Sequence, residues 1–166
     1  MRSSILRRAA LAALLLAACG DSATDPEPLA RVYMATTAGG RAMPAVVDSL
    51  PWTDGRSYTL YRLTHASVEF LDDENARWTH GERQVAPSVF GGDSTYSASC
   101  RSVTVPYRRE NGRVLLIIEP ELMGETGRLR IDTLQIENDK LVQTVPTVSG
   151  KSVRVEYGRA GFADGC

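Results

Sequence analysis

The chain has 166 residues, with 19 basic residues against 20 acidic ones and a formal net charge of −1. That length suffices for one domain around a single hydrophobic core. A balance this close to neutral, tipped towards acid, excludes the basic footprint that polyanion binding requires, so nucleic acid is not an expected partner.

The chain opens with Arg2, Arg7 and Arg8, then an apolar run from Ala9 to Ala18 that closes on Leu16-Ala17-Ala18-Cys19. A charged start, a short apolar stretch and small residues before a cut site mark a secretory signal. The apolar run is about 10 residues, half the ~20 that a membrane-spanning helix needs. This layout resembles a bacterial lipoprotein signal with its lipobox. The resemblance implies cleavage just before Cys19, acylation of its thiol and a firm hold on the membrane, because stable anchoring takes more than one acyl chain. Gly20, where an Asp would retain such a protein in the inner membrane, implies sorting to the outer membrane, facing the periplasm. Residues 1–18 then form the signal peptide. Residues 19–30 form the lipidated cysteine with a polar, Pro-containing tether (Asp21, Pro26, Pro28), and 31–166 a single antiparallel β-domain. Loss of Arg2, Arg7 and Arg8 leaves 16 basic residues against 20 acidic ones, a net charge of −4.

Cysteine usage agrees with an exported chain. With Cys19 carrying lipid, Cys100 and Cys166 remain, and an even pair in an exported domain predicts one disulfide. The alternative, a reactive thiol or a metal ligand, lacks a Cys or His at ligand spacing.

From Arg31 onward, short β-runs alternate with turn chemistry. Arg31 to Thr37 predicts a first strand, ended by Gly39-Gly40. Ala42 to Val47 is a short extended piece, placed at an edge or bend by Pro44. After a turn over Pro51 to Gly55, Ser57 to Phe70 reads as strand. Asp72 to Asn75 turns it back into Ala76 to Glu82 as a hairpin. Pro87 to Ser99 reads as a loop. From Ser102 to Pro120, Val103, Val105 and Tyr107 alternate with polar residues, and Asn111-Gly112 predicts a two-residue type I′ turn. Val114 to Ile118 is apolar at every position, the pattern of a strand covered on both faces. Leu122 to Gly127 reads as a loop or a single helical turn. Arg128 to Glu137 and Leu141 to Val145 form a further hairpin about Asn138-Asp139. The parity of Leu129 and Ile131 against Leu134 and Ile136 predicts a bulge near Asp132-Thr133. Val153, Val155 and Tyr157 mark a last strand.

No stretch after the signal carries a sustained helical period. About eight short strands joined by hairpin turns predict an all-β fold, a small antiparallel up-and-down barrel or a sandwich. In architecture and length the chain resembles small envelope lipoproteins with a lipocalin-like or META-like barrel. It departs from the Gly-x-Trp pattern of lipocalins, since Trp52 follows Pro51 and Trp78 follows Arg77.

The histidines are His65 and His80. A symmetric turn at Asp72 to Asn75 would set His65 opposite Glu82 and Ser67 opposite His80, on one face. Two histidines and a carboxylate make a recognised metal set. The competing reading is a solvated strand face, because Val68 and Phe70 take the other parity. The acidic run Asp72 to Asn75 lacks the frame of a calcium loop and reads as a hairpin tip. Ser97 and Ser99 lie in no nucleophile elbow, and Glu119 and Glu121 read as solvated strand ends. Tyr33, Tyr58, Tyr61, Phe70, Tyr107 and Tyr157 read as core or barrel lining.

The expectation is therefore a non-enzymatic envelope lipoprotein, anchored through Cys19, with no cofactor. It would bind a small apolar ligand or another envelope protein. The alternatives are a metal-dependent or hydrolytic enzyme using His65 and His80, and a structural or assembly role.

Overall fold

The computed structural model describes residues 29–53, 58–87, 93–119 and 129–163. Every regular element among them is a strand: β1 (Val32–Ala38), β2 (Arg41–Ala42), β3 (Ala45–Pro51), β4 (Tyr58–Phe70), β5 (Asn75–Pro87), β6 (Asp93–Glu110), β7 (Arg113–Ile118), β8 (Arg130–Glu137), β9 (Lys140–Pro146) and β10 (Ser152–Ala160). The sheet runs β2-β1-β10-β9-β8-β7-β6-β5-β4-β3, and a further β1–β4 pairing closes it on itself. Eight strands, β1 and β4 to β10, thus make an antiparallel barrel. β2 and β3 are additions at the seam, where β3 continues along the edge of β4 after β1 has turned away to β10.

The closure follows from alternation. One parity of each strand faces inward and buries Leu63, Val68, Phe70, Trp78, Val105, Leu116, Leu134 and Tyr157 in one core. The turns that set this register are legible in their residues. Asn111 and Gly112 take φ of 48° and 73°, and Asn138 and Asp139 take 48° and 65°. Both central residues of a type I′ turn need positive φ, which Asn, Asp and Gly tolerate best.

The two ends of the barrel differ. At the near end, where the described chain begins, the rings of Tyr33, Phe70 and Tyr107 pack together, with centroids 6.1 and 4.8 Å from Phe70. Tyr107 donates from its hydroxyl to the Asp72 carbonyl, and the Asp72 carboxylate accepts from the Glu74 and Asn75 amides. The acidic run is thus a hairpin tip, its Asp72 carboxyl held below the ordinary range chiefly by the Glu74 amide.

At the far end the wall opens, and two prolines show why. The β6–β7 ladder stops at Tyr107↔Leu116, one residue before Pro106. The β8–β9 ladder stops at Leu134↔Gln143, where continued pairing would bring Pro146 opposite Ile131. Proline has no N–H for a ladder. β7 is also only 6 residues long beside the 18 of β6. Beyond these stops, β6 is paired by β5 alone among the described residues.

Several strand expectations are corrected. The β4–β5 register is one residue off the symmetric turn, with Phe70 opposite Ala76 and Val68 opposite Trp78. Asp93 to Ser99 is strand, not loop. β8 pairs without a bulge; its parity change instead leaves Leu129 and Ile131 on the outside, each 55% exposed. β7 buries only Val114, Leu116 and Ile118 fully, and Leu115 and Ile117 are half-buried on the outer face. Leu122 to Gly127 lies outside the described residues.

A cleft at the open end of the barrel

The register shift decides the fate of the histidines. His80 pairs with Ala66 and points inward; His65 pairs with Gly81 across a bulge between Leu63 and His65. A Cβ at Gly81 would lie 2.9 Å from Thr64 Oγ1, 3.3 Å from Cys100 Sγ and 3.4 Å from His65 Cβ, so these side chains share the outer face. The expected set of His65, His80 and Glu82 is therefore not assembled: the barrel wall separates His65 from the other two. Its Nε2 is buried, with no hydrogen-bond partner among the described residues. No group of three candidate metal ligands occurs among the described residues. The His80 face is also not the wet outer face, because the one-residue slip turns it inside.

Inside the far end, Trp78 contacts a histidine and an arginine. The His80 ring stacks on it at 5.3 Å and 12°, and the Arg130 guanidinium lies 5.4 Å from the indole centroid. His80 Nε2 and Glu82 Oε1 are 2.9 Å apart. That hydrogen bond first, with the charges of His80 and Arg101 behind it, holds the Glu82 carboxyl below the ordinary range. Arg130 pairs with Asp132 at 2.9 Å. Asp132 also accepts from Gln143 Nε2 at 3.0 Å, and Gln143 Oε1 accepts from the Tyr157 hydroxyl at 2.8 Å. Burial pushes the Tyr157 phenol well above its usual range.

These groups border a cleft of about 750 Å³ between the β6 side (Ser99, Arg101) and the β8 and β9 edges (Arg130 to Thr133, Gln143 to Pro146). A smaller cavity of about 50 Å³ lies between β3 and the β9–β10 turn, with Val47, Leu63 and Val155 in its wall, and His80 and Glu82 border both spaces. Ser99 sits opposite Glu82 at the cleft, while Ser97 lies further along β6. Neither makes a hydrogen bond to a histidine among the described residues. Sequence reasoning missed Trp78, Arg101, Arg130, Asp132 and Gln143. The signal for them was the polar residues at inward parity (Arg130, Asp132, Gln143), which a filled barrel core would not carry.

The Tyr157–Gln143 bond gives a direct check on this lining. Tyr157→Phe leaves the Gln143 carbonyl oxygen buried without its donor, which costs about 1–3 kcal/mol. Urea unfolding should show that loss, whereas Tyr61→Phe, at a half-buried residue, should show little.

Cys19 and Cys166 lie outside the described residues. No protein-family model, curated protein or solved structure matches this chain.

Proposed function

We propose that the chain is an outer-membrane lipoprotein, anchored through acylated Cys19 and facing the periplasm. Its barrel is a non-enzymatic interaction module that works through the far-end cleft. The observation that carries this reading is the contrast between the two ends: one is plugged by aromatic rings and the other holds a cleft of about 750 Å³. The plugged end is where Leu29 and Ala30 lead into β1, so a lipid tether entering there leaves the cleft pointing away from the bilayer. The cavity of about 50 Å³ is too small for a ligand, since ligand pockets run to about 300–1,000 Å³, so any ligand would sit in the larger cleft. The larger cleft mixes charged and amide side chains (Arg101, Arg130, Asp132, Gln143) with apolar ones (Trp78, Val142, Val145), a surface of mixed character that suits another envelope protein. The enzyme alternative loses its two-histidine basis through the separation of His65 from His80.

The Cys100–Cys166 disulfide belongs to the same proposal. Ser67 and Thr79 point outward from the barrel yet are each 1% exposed. They stand between Ala160, at the end of β10, and Cys100 on β6. A C-terminal segment drawn across the outer wall to Cys100 would account for their burial.

The test uses the full-length chain in cells. A photo-crosslinking amino acid placed at Thr144 or Ser97, beside the cleft, should give a discrete adduct with a second protein. The same group at Glu110 or Asn138, at the plugged end, should not. Absence of adducts at both cleft positions in a folded protein would defeat the interaction reading. Cys19→Ser should move the protein from the membrane pellet to the soluble fraction, and retention in the pellet would defeat the anchor.

A further inference from the structure

The tether enters the barrel at a fixed point of the near end. Leu29 and Ala30 pack against the core, and the Ala30 amide donates to the Tyr33 hydroxyl at 3.2 Å. Cys19 stands ten residues before Leu29. A stretch of that length spans at most about 36 Å, so a lipid on Cys19 keeps this end of the barrel close to the bilayer.

Two large apolar side chains stand exposed on either side of the entry. Phe162 is 69% exposed and follows two residues after Ala160, which pairs with Val32. Leu71 is 37% exposed and follows Phe70, whose amide donates to the Arg31 carbonyl on the opposite side of β1. Arg31 lies at the entry itself. Its side chain is 77% exposed and reaches Glu69 at 3.6 Å, while Arg77 holds the same carboxylate at 2.8 Å. Aromatic rings and arginine suit a membrane–water boundary, since the apolar body of each meets lipid and the polar or charged tip stays wet.

Exposure alone does not choose a lipid-facing end, because Trp52 and Val148 are exposed at the far end. The tether chooses. A short flexible linker gives an effective concentration on the order of millimolar, which sustains a contact too weak to form in free solution.

We propose that the near end of the barrel is seated on the lipid surface, with Phe162 and Leu71 in the headgroup boundary and Arg31 beside the phosphates. The proposal rests on the anchor at Cys19 and adds to it a second contact, made by the folded domain. The contact is shallow, because the acidic tip Asp72 to Glu74 adjoins Leu71 and carboxylates stay in water. Seating fixes the long axis of the barrel and holds the cleft outward, where a tether alone would let the domain tumble.

The experiment uses the full-length lipidated protein in phosphatidylcholine vesicles, collected by flotation. In a Trp52→Phe background, Phe162→Trp adds emission at the near end. Lipids brominated near the headgroup end of the acyl chain should quench that added emission at least twofold. The parent, whose exposed indole is Trp52, should be unchanged. A second measurement leaves Phe162 in place, because a new indole can seek lipid by itself. The amides of Gly161 and Phe162 should exchange at least threefold more slowly in the lipidated parent on vesicles than in Cys19→Ser protein in buffer. Those of Ser149 and Gly150, at the β9–β10 turn, should not differ.

Absence of quenching in a protein that floats would overturn the seating and leave the anchor intact. Quenching without slower exchange would trace the contact to the introduced indole and overturn it as well. Quenching of the parent would put the far end against the bilayer, against both the seating and the outward cleft. A protein that stays behind when the vesicles float removes the anchor, and the seating with it.

Discussion

Asp48→Asn is expected to lower the stability of the barrel at neutral pH and to flatten its loss of stability in acid. β3 is an edge strand, and among the described residues no ladder joins it to the far half of β10. The join is made instead by one carboxylate. Asp48 accepts from the Ser149 amide at 2.7 Å, the Ser149 hydroxyl at 2.8 Å and the Ser49 amide at 2.8 Å. The Ser149 amide, ahead of the other donors, brings its pKa down from 3.8 to about 2. The sign follows from linkage: a depressed carboxylate stabilises the fold fully above its unfolded pKa. That contribution is lost as the pH falls from 3.8 through about 2. Urea midpoints measured from pH 6 to pH 2 should therefore drop more steeply in the parent than in Asp48→Asn. Parallel curves would mean that the clasp does not hold β3 in place.

Trp78→Ala should have the largest effect on stability of any change at the cleft. Trp78 is 5% exposed and packs against both His80 and Arg130. Truncating a buried tryptophan removes its transfer free energy and leaves a cavity, at a cost of about 3–5 kcal/mol. Removal also strands the Arg130 guanidinium without its ring, an interaction of about 0.5–2 kcal/mol. A barrel of this size has roughly 5–15 kcal/mol in total, so the variant should be marginal near 37 °C. Trp78→Phe, which keeps a ring beside both neighbours, should lose markedly less. Equal losses in the two variants would show that the stack contributes nothing beyond bulk.

The barrel itself was readable because period-two alternation and turn chemistry are local. Val103, Val105 and Tyr107 announce an inward parity, and Asn111-Gly112 and Asn138-Asp139 announce their turns. Register was less readable, because Asp72 to Asn75 admits more than one way of reversing the chain. The realised one is fixed by the Asp72 carboxylate reaching the Glu74 and Asn75 amides. That single residue of slip carried His80 inside and left His65 outside. Leu129 and Ile131 misled for another reason: apolar residues on the outer face imitate a change of inward parity, which a bulge would also produce. The cleft was the least legible feature. It depends on where ladders stop, and Pro106 and Pro146 disclose their effect only once the partner strands are known.

The seam at β1 governs the order in which the molecule can assemble. Val32 lies between Ala160 of β10 and Glu69 of β4, so the first strand synthesised is held partly by the last. Contacts that span nearly the whole chain are slow to form, because the entropy of closing the loop must be met before they stabilise anything. The hairpins about Asn111-Gly112 and Asn138-Asp139 close on a microsecond scale. β1 cannot be locked against β10 until the final strand has emerged. Until then β1 stays unpaired on one side. The seam is therefore the last part of the barrel to close, and until it does the edge of β1 is open to wrong pairings.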